Sequence, residues 1–203
     1  IFADKILVVN KHMIQNFKRF RDVMRSYGER DTKGVEHARW RDVNANRTSQ
    51  VQSFAIVRNP WSKVVSRYLF AKQAVQRNLL KPDYANTNSL DAFIEERHKW
   101  IDKDLTWYRA IRGWHPQMDH VTDTAGNVKC DILRLEHLNT DAVKYFGIEE
   151  MPRARNVTSI KENYKDLYNP VTIQIIADWY KKDIDHWGFD FDTSATKNYW
   201  DMK

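Results

Sequence analysis

The stretch that most constrains this chain is Gln52 to Phe70, QSFAIVRNPWSKVVSRYLF. Its apolar run Phe54-Ala55-Ile56-Val57 predicts a buried strand. Pro60 suits a first helical position, because its ring fixes φ and the missing N–H is not needed there. Val64, Val65, Tyr68 and Leu69 then recur at helical spacing and predict an amphipathic helix. Arg58 therefore stands at the C-terminal end of a strand, beside a helix N-terminus. Open α/β sheets bind ligands at such strand ends, and helix N-termini favour anions. Ser66 lies two turns into the helix. The same residues also fit an ordinary strand-to-helix turn with a surface arginine.

The rest of the chain supports an α/β reading. Lys5 to Asn10 (KILVVN) is β-rich, and Met13, Ile14, Phe17, Phe20 and Met24 mark a helix capped near Gly28. Lys11 sits in the turn between them, the layout of a phosphate-binding loop, although the usual glycines are absent. Ser89 is placed to cap a helix reaching about Trp100. His115-Pro116-Gln117 breaks any helix, and Asp119 to Lys129 reads as a hairpin with its turn at Thr124 to Asn127. Cys130 to Leu135 is a further β-rich run, closed by Glu136. Asn139 to Phe146 reads as a short helix ended by Gly147, and a long helix follows Pro170 and ends at Gly188. No linker or repeat divides the chain, so 1–203 is read as a single domain.

Composition narrows the function classes. The 203 residues are 42% hydrophobic and 30% charged, as in a soluble globular protein. The net charge of +6 fits an anionic ligand. The basic residues are dispersed among 27 acids with no basic stripe, which argues against nucleic acid as the partner. Cys130 is the only cysteine, so neither an intrachain disulfide nor a thiolate metal cluster can form. No run is long and apolar enough to span a membrane. With no secretory pattern, these features predict a cytoplasmic location in a bacterial or viral setting; a removed upstream anchor would instead place the domain in a Golgi lumen. Both N-x-T sequences, at Asn46 and Asn156, are read as chance matches. Eight tryptophans suit either core packing or a sugar-facing cleft, and Trp40, Trp107 and Trp114 are the candidates for the latter. Arg155 and Lys161, in a basic loop, are candidate anion ligands.

In order along the chain, IVRNPWSKVVSRYLF, His115-Pro116-Gln117, Ala125-Gly126-Asn127, ILRLEHLNTD and IDHWGFDF resemble the PAPS-dependent sulfotransferases of the carbohydrate and heparan 2-O type. The resemblance implies a three-layer, P-loop-like fold with a central, mostly parallel sheet flanked by helices. It implies 3′-phosphoadenosine 5′-phosphosulfate as cofactor, 3′,5′-adenosine bisphosphate as product, and no metal. By position, Arg58 and Ser66 match the grip on the 3′-phosphate. Lys11 matches the lysine that stabilises the leaving 5′-phosphate, and Asn16 stands where a serine is usual. Arg155 and Lys161 match residues that close over the nucleotide. His37, in His37-Ala38, matches a general base, with His115 a second candidate. Glu136 orients a partner or caps the sheet.

The acceptor implied is a carbohydrate or related hydroxyl compound, bound near His115, Trp40, Trp107 and Trp114. The loop after Lys11 reads His12-Met13-Ile14-Gln15-Asn16, whereas the family carries small residues and hydroxyls there. That departure leaves a second reading open: a non-catalytic module of the same fold that binds a nucleotide or another anion. A kinase is disfavoured, because no GKS or GKT follows the first strand.

Overall fold

Among the described residues, two strands form the sheet on which the site is built. In this computed structural model they are β1, Phe54–Val57, and β2, Asp131–Arg134. They run parallel, with Phe54 opposite Asp131 and Val57 opposite Arg134. The residues described are 39–42, 52–79, 85–100, 113–150 and 163–192; among them the fold is mixed α/β, mostly helical, with this short parallel sheet. The expected strand at Lys5 to Asn10 and the helix after it lie outside the described residues, as does the Lys11 loop.

Helix α1, Pro60–Gln76, leaves β1 as expected. The Asn59 side-chain oxygen accepts the N–H groups of Trp61 (3.1 Å) and Ser62 (3.3 Å), and Pro60 has none to satisfy. Val64, Val65, Tyr68 and Leu69 are all buried, so the apolar face read from the sequence is the packed face. Next come α2, Leu90–Glu95, capped by the Ser89 hydroxyl at Ala92 N–H, and α3, Arg97–Trp100. The single helix expected from Ser89 is interrupted at Glu96, where the Arg97 guanidinium takes the Ile94 carbonyl at 3.1 Å.

The segment at Pro116 differs more from its sequence reading. It does not merely stop a helix: it opens α4, Gln117–Val121. The N–H groups of Gln117 and Met118 donate to the two carboxylate oxygens of Asp183 at 2.8 and 2.9 Å. A carboxylate distant in sequence thus serves as the cap, and nothing local could announce it. The hairpin expected at Asp119 to Lys129 is correspondingly reduced to one antiparallel bridge, Thr122 to Val128. Its turn is held by the Asp123 carboxylate, which accepts from the N–H of Ala125 and Asn127.

Helix α5, Leu138–Phe146, ends at Gly147, whose φ of 61° is the left-handed cap the sequence suggested. The long C-terminal helix is two: α6, Pro170–Trp179, and α7, Lys181–Trp187. The break at Tyr180 has a tertiary cause. The Trp179 indole N–H donates to the Trp114 carbonyl (2.9 Å), and the Tyr180 hydroxyl donates to the Gly113 carbonyl (3.0 Å). Successive residues of an unbroken helix point about 100° apart and do not readily serve one short segment together. Three short 3-10 turns complete the described fold, at Trp40–Asp42, Leu135–His137 and Tyr164–Leu167.

The core joins α1, β2 and the C-terminal helices. Val64, Ile132, Leu133, Ile176, Tyr180 and Trp187 are among its fully enclosed side chains. Trp61 donates its indole N–H to the Ile173 carbonyl, and Tyr168 donates to the Trp61 carbonyl, so α1 and α6 are pinned by polar contacts as well as packing. Among the described residues no helix is long and apolar enough to cross a membrane.

Candidate functional site

Arg58 follows the last residue of β1 and is fixed from several sides. Its backbone N–H donates to Gln117 Oε1 at 2.9 Å, and Gln117 Nε2 returns a bond to the Arg58 carbonyl at 2.8 Å. The side chain donates from Nε to the Ser62 hydroxyl at 2.6 Å, one helical turn into α1. Among the described residues, no group accepts a hydrogen bond from the two terminal guanidinium nitrogens. That planar pair is the part of an arginine that meets phosphate or sulfate two bonds at a time.

The turn behind Arg58 is equally well held. Asn59 N–H donates to Glu136 Oε1 at 2.8 Å, and Asn59 Nδ2 donates to the Asp190 carbonyl at 2.7 Å. Glu136 thus fastens the end of β1 to the residues that follow β2. Its other carboxylate oxygen is buried and has no hydrogen-bond partner among the described residues. Burial pulls the Arg58 guanidinium below its ordinary pKa, and the Glu136 carboxylate opposes that fall. An arginine remains charged under such a shift, so an anion brought to Arg58 meets a cation that burial has partly stripped of solvent.

The start of α1 offers less to an anion than its sequence suggests. Trp61 and Ser62 give their N–H groups to Asn59 Oδ1, and Lys63 gives its N–H to the Asn59 carbonyl at 2.9 Å. With Pro60 lacking a donor, the first turn is satisfied internally. The expectation that backbone N–H groups of this helix would hold an anion is corrected accordingly. The groups that remain are side chains: Arg58, with Ser62 and Ser66 one and two turns along α1 from it. Sequence reading selected Ser66, which is half-buried; the hydroxyl that touches Arg58 is Ser62.

A charged cluster that the sequence does not reveal is linked to Arg58 through Gln117. Lys63 Nζ donates to the His115 carbonyl (3.1 Å) and sits 4.5 Å from the centre of the Tyr180 ring. Burial lowers its pKa to about 8, with Asp183 opposing and Arg67 reinforcing the fall. Arg67, one turn on, lies over the Trp114 ring at 4.6 Å. Asp183 is fully enclosed, and that burial pushes its carboxyl up against the pull of Lys63 and of the N–H groups it accepts. Asp183 Oδ2 also accepts from Gln117 Nε2 at 3.2 Å, so the carboxylate reaches Arg58 through one intervening side chain.

The other sequence-selected residues divide into two groups. Trp114 is 1% exposed and packs on Phe93, which makes it a core residue in this fold. His115 is buried beside α4, its ring 6.2 Å from that of His120. Trp40 is half-buried in the 3-10 turn that packs on α4, and its neighbour Arg41 donates to the Asp119 carbonyl at 3.3 Å. Beside α4 lies an open cleft of about 500 Å³, lined by Arg41, Asp119, Thr122, Lys182, Asp185 and His186 among others. Lys11, Asn16, His37, Trp107, Arg155 and Lys161 lie outside the described residues.

Of the residues that sequence reading missed, Asn59 and Ser62 had a local signal. Asn before Pro is a strong helix-cap pair, and Ser62 is four residues from Arg58. Gln117 and Asp183 had none, because their role depends on α7 packing against the start of α4. No family model, curated protein or solved structure matches this chain.

Proposed function

We propose that this chain is a PAPS-dependent sulfotransferase acting on a hydroxyl of a carbohydrate or related small acceptor. The observation that carries the proposal is the fixed Arg58 at the end of a parallel strand, its terminal nitrogens uncommitted among the described residues and Ser62 and Ser66 following on α1. This is the chemistry a 3′-phosphate requires, and it stands in the segment whose sequence resembles that family. The reading extends to a three-layer, P-loop-like fold, of which β1, β2 and α1 would be part.

In the proposed reaction the acceptor hydroxyl oxygen attacks sulfur in line. A new S–O bond forms as the bridging S–O bond to the 5′-phosphate breaks. The hydroxyl proton passes to neutral His37, and the electron pair of the broken bond leaves with adenosine 3′,5′-bisphosphate. Lys11 stabilises the charge gathering on that leaving phosphate, and Asn16 is assigned to the same phosphate. Arg58 and Ser66 hold the 3′-phosphate, and Arg155 and Lys161 close over the nucleotide. The cleft beside α4 is our choice for the acceptor, since Arg41, which lines it, follows His37 by four residues in the sequence.

The test is transfer of labelled sulfate from 3′-phosphoadenosine 5′-phosphosulfate to a panel of glycans, repeated with His37→Ala. The expected result is product with at least one glycan and none with the variant. Nucleotide binding without transfer to any acceptor would favour the second reading, a non-catalytic module of the same fold; the unusual residues after Lys11 are what motivate it.

A further inference from the structure

We propose that Gln117 is a positioning residue for Arg58, and that Asp183 acts on the anion site only through Gln117. The proposal rests on the reading of Arg58 as an anion ligand. Gln117 holds both polar groups of the Arg58 backbone, as acceptor at 2.9 Å and donor at 2.8 Å. Among the described residues the pairing of β1 with β2 stops at Val57, and this pair of bonds takes over the backbone groups of the next residue. A carboxamide can serve both groups at once because it carries a donor and an acceptor side by side; a carboxylate or an apolar side chain cannot.

Gln117 is itself fixed by Asp183 Oδ2, which takes its backbone N–H at 2.8 Å and its side-chain NH₂ at 3.2 Å. The second bond also sets the amide orientation: with NH₂ toward Asp183, the oxygen is the atom left for Arg58 N–H. Asp183 is fully enclosed on α7, and no bond links it to Arg58 directly. The route from α7 to the strand end therefore passes through one side chain, and the two residues act as a unit.

The experiment uses the whole chain and four forms: wild type, Gln117→Met, Asp183→Asn and the double variant. Methionine keeps much of the glutamine's volume while removing both bonds. Calorimetry measures the preference for adenosine 3′,5′-bisphosphate over adenosine 5′-monophosphate, and amide exchange is followed at Arg58, Val64 and Val65. In Gln117→Met the preference should shrink by about tenfold, with monophosphate affinity unchanged. The Arg58 amide should exchange at least about tenfold faster, while Val64 and Val65 stay protected. Asp183→Asn should give a smaller change in the same direction, and the double variant should be no worse than Gln117→Met. A wild-type preference that survives Gln117→Met, or additive losses in the double variant, overturns the positioning role alone. Equal wild-type affinity for the two nucleotides overturns the anion-site reading beneath it.

Discussion

The Ser62 hydroxyl accepts the Nε–H of Arg58 at 2.6 Å, which ties the last group of the strand exit to the first turn of the helix that follows. The contact uses the one guanidinium nitrogen that a two-bond anion complex can spare, leaving the terminal pair in a fixed plane. Ser62→Ala should therefore weaken adenosine 3′,5′-bisphosphate binding by a few-fold, on the order of one hydrogen bond's net worth. Arg58→Lys should not restore what Arg58→Ala loses, because an ammonium cannot offer two parallel donors. Calorimetric titration of the three variants checks both statements.

Asn59 should matter to stability more than its place in a loop suggests. It is 2% exposed, caps α1 through two N–H groups and donates to the Asp190 carbonyl. Asn59→Ala removes the cap and leaves buried groups unpaired, and a loss of about 2–3 kcal/mol is expected in urea unfolding. A variant within about 0.5 kcal/mol of wild type would show that the cap is not needed.

Lys63 gives a pH signature whose sign is fixed. Its folded-state pKa is about 8, below the ordinary 10.5, so between those values the unfolded chain binds more protons than the folded one. Stability must then rise with pH through that window, and folding carries a constant penalty from this group at lower pH. Lys63→Met lacks the titration. The wild-type minus variant difference in unfolding free energy should be flat below about pH 7 and climb from about pH 8 toward 10.5. A flat difference across the whole range would mean that the ammonium is not stripped of solvent as its surroundings imply.

The tryptophans should separate by role. Trp114 is enclosed against Phe93 and Arg67, whereas Trp40 is half-buried in a single 3-10 turn. Trp114→Ala is expected to cost about 3–5 kcal/mol, as for other large core truncations. Trp40→Ala should cost much less. Thermal or urea unfolding of the two variants compares them directly.

What the sequence makes legible here is what is decided locally. Phe54 to Val57 is a strand because four apolar residues abut a turn, but it is not the buried strand expected, since only Val57 is enclosed and Ile56 is exposed; α1 begins at Pro60 and buries Val64, Val65, Tyr68 and Leu69 because their spacing leaves one face for the core. Gly147 and Gly188 end helices by the left-handed conformation that glycine adopts at little cost. The readings that went astray concern elements settled by distant partners. The start of α4 is capped by Asp183, and the break at Tyr180 follows from bonds to Gly113 and Trp114. The site divides in the same way. Arg58 stood out because a strand end and a helix start flank it, while Gln117 and Asp183 acquire their role only when α7 and α4 meet.

The most direct test of the account is a calorimetric titration of the whole chain with adenosine 3′,5′-bisphosphate, wild type against Arg58→Ala, with the unfolding midpoint of each measured alongside. The expected result is saturable one-to-one binding that disappears in a variant still folded under the same conditions. Wild-type protein that does not bind the nucleotide, or a folded Arg58→Ala variant that binds it undiminished, would contradict the assignment of Arg58 as the anion ligand.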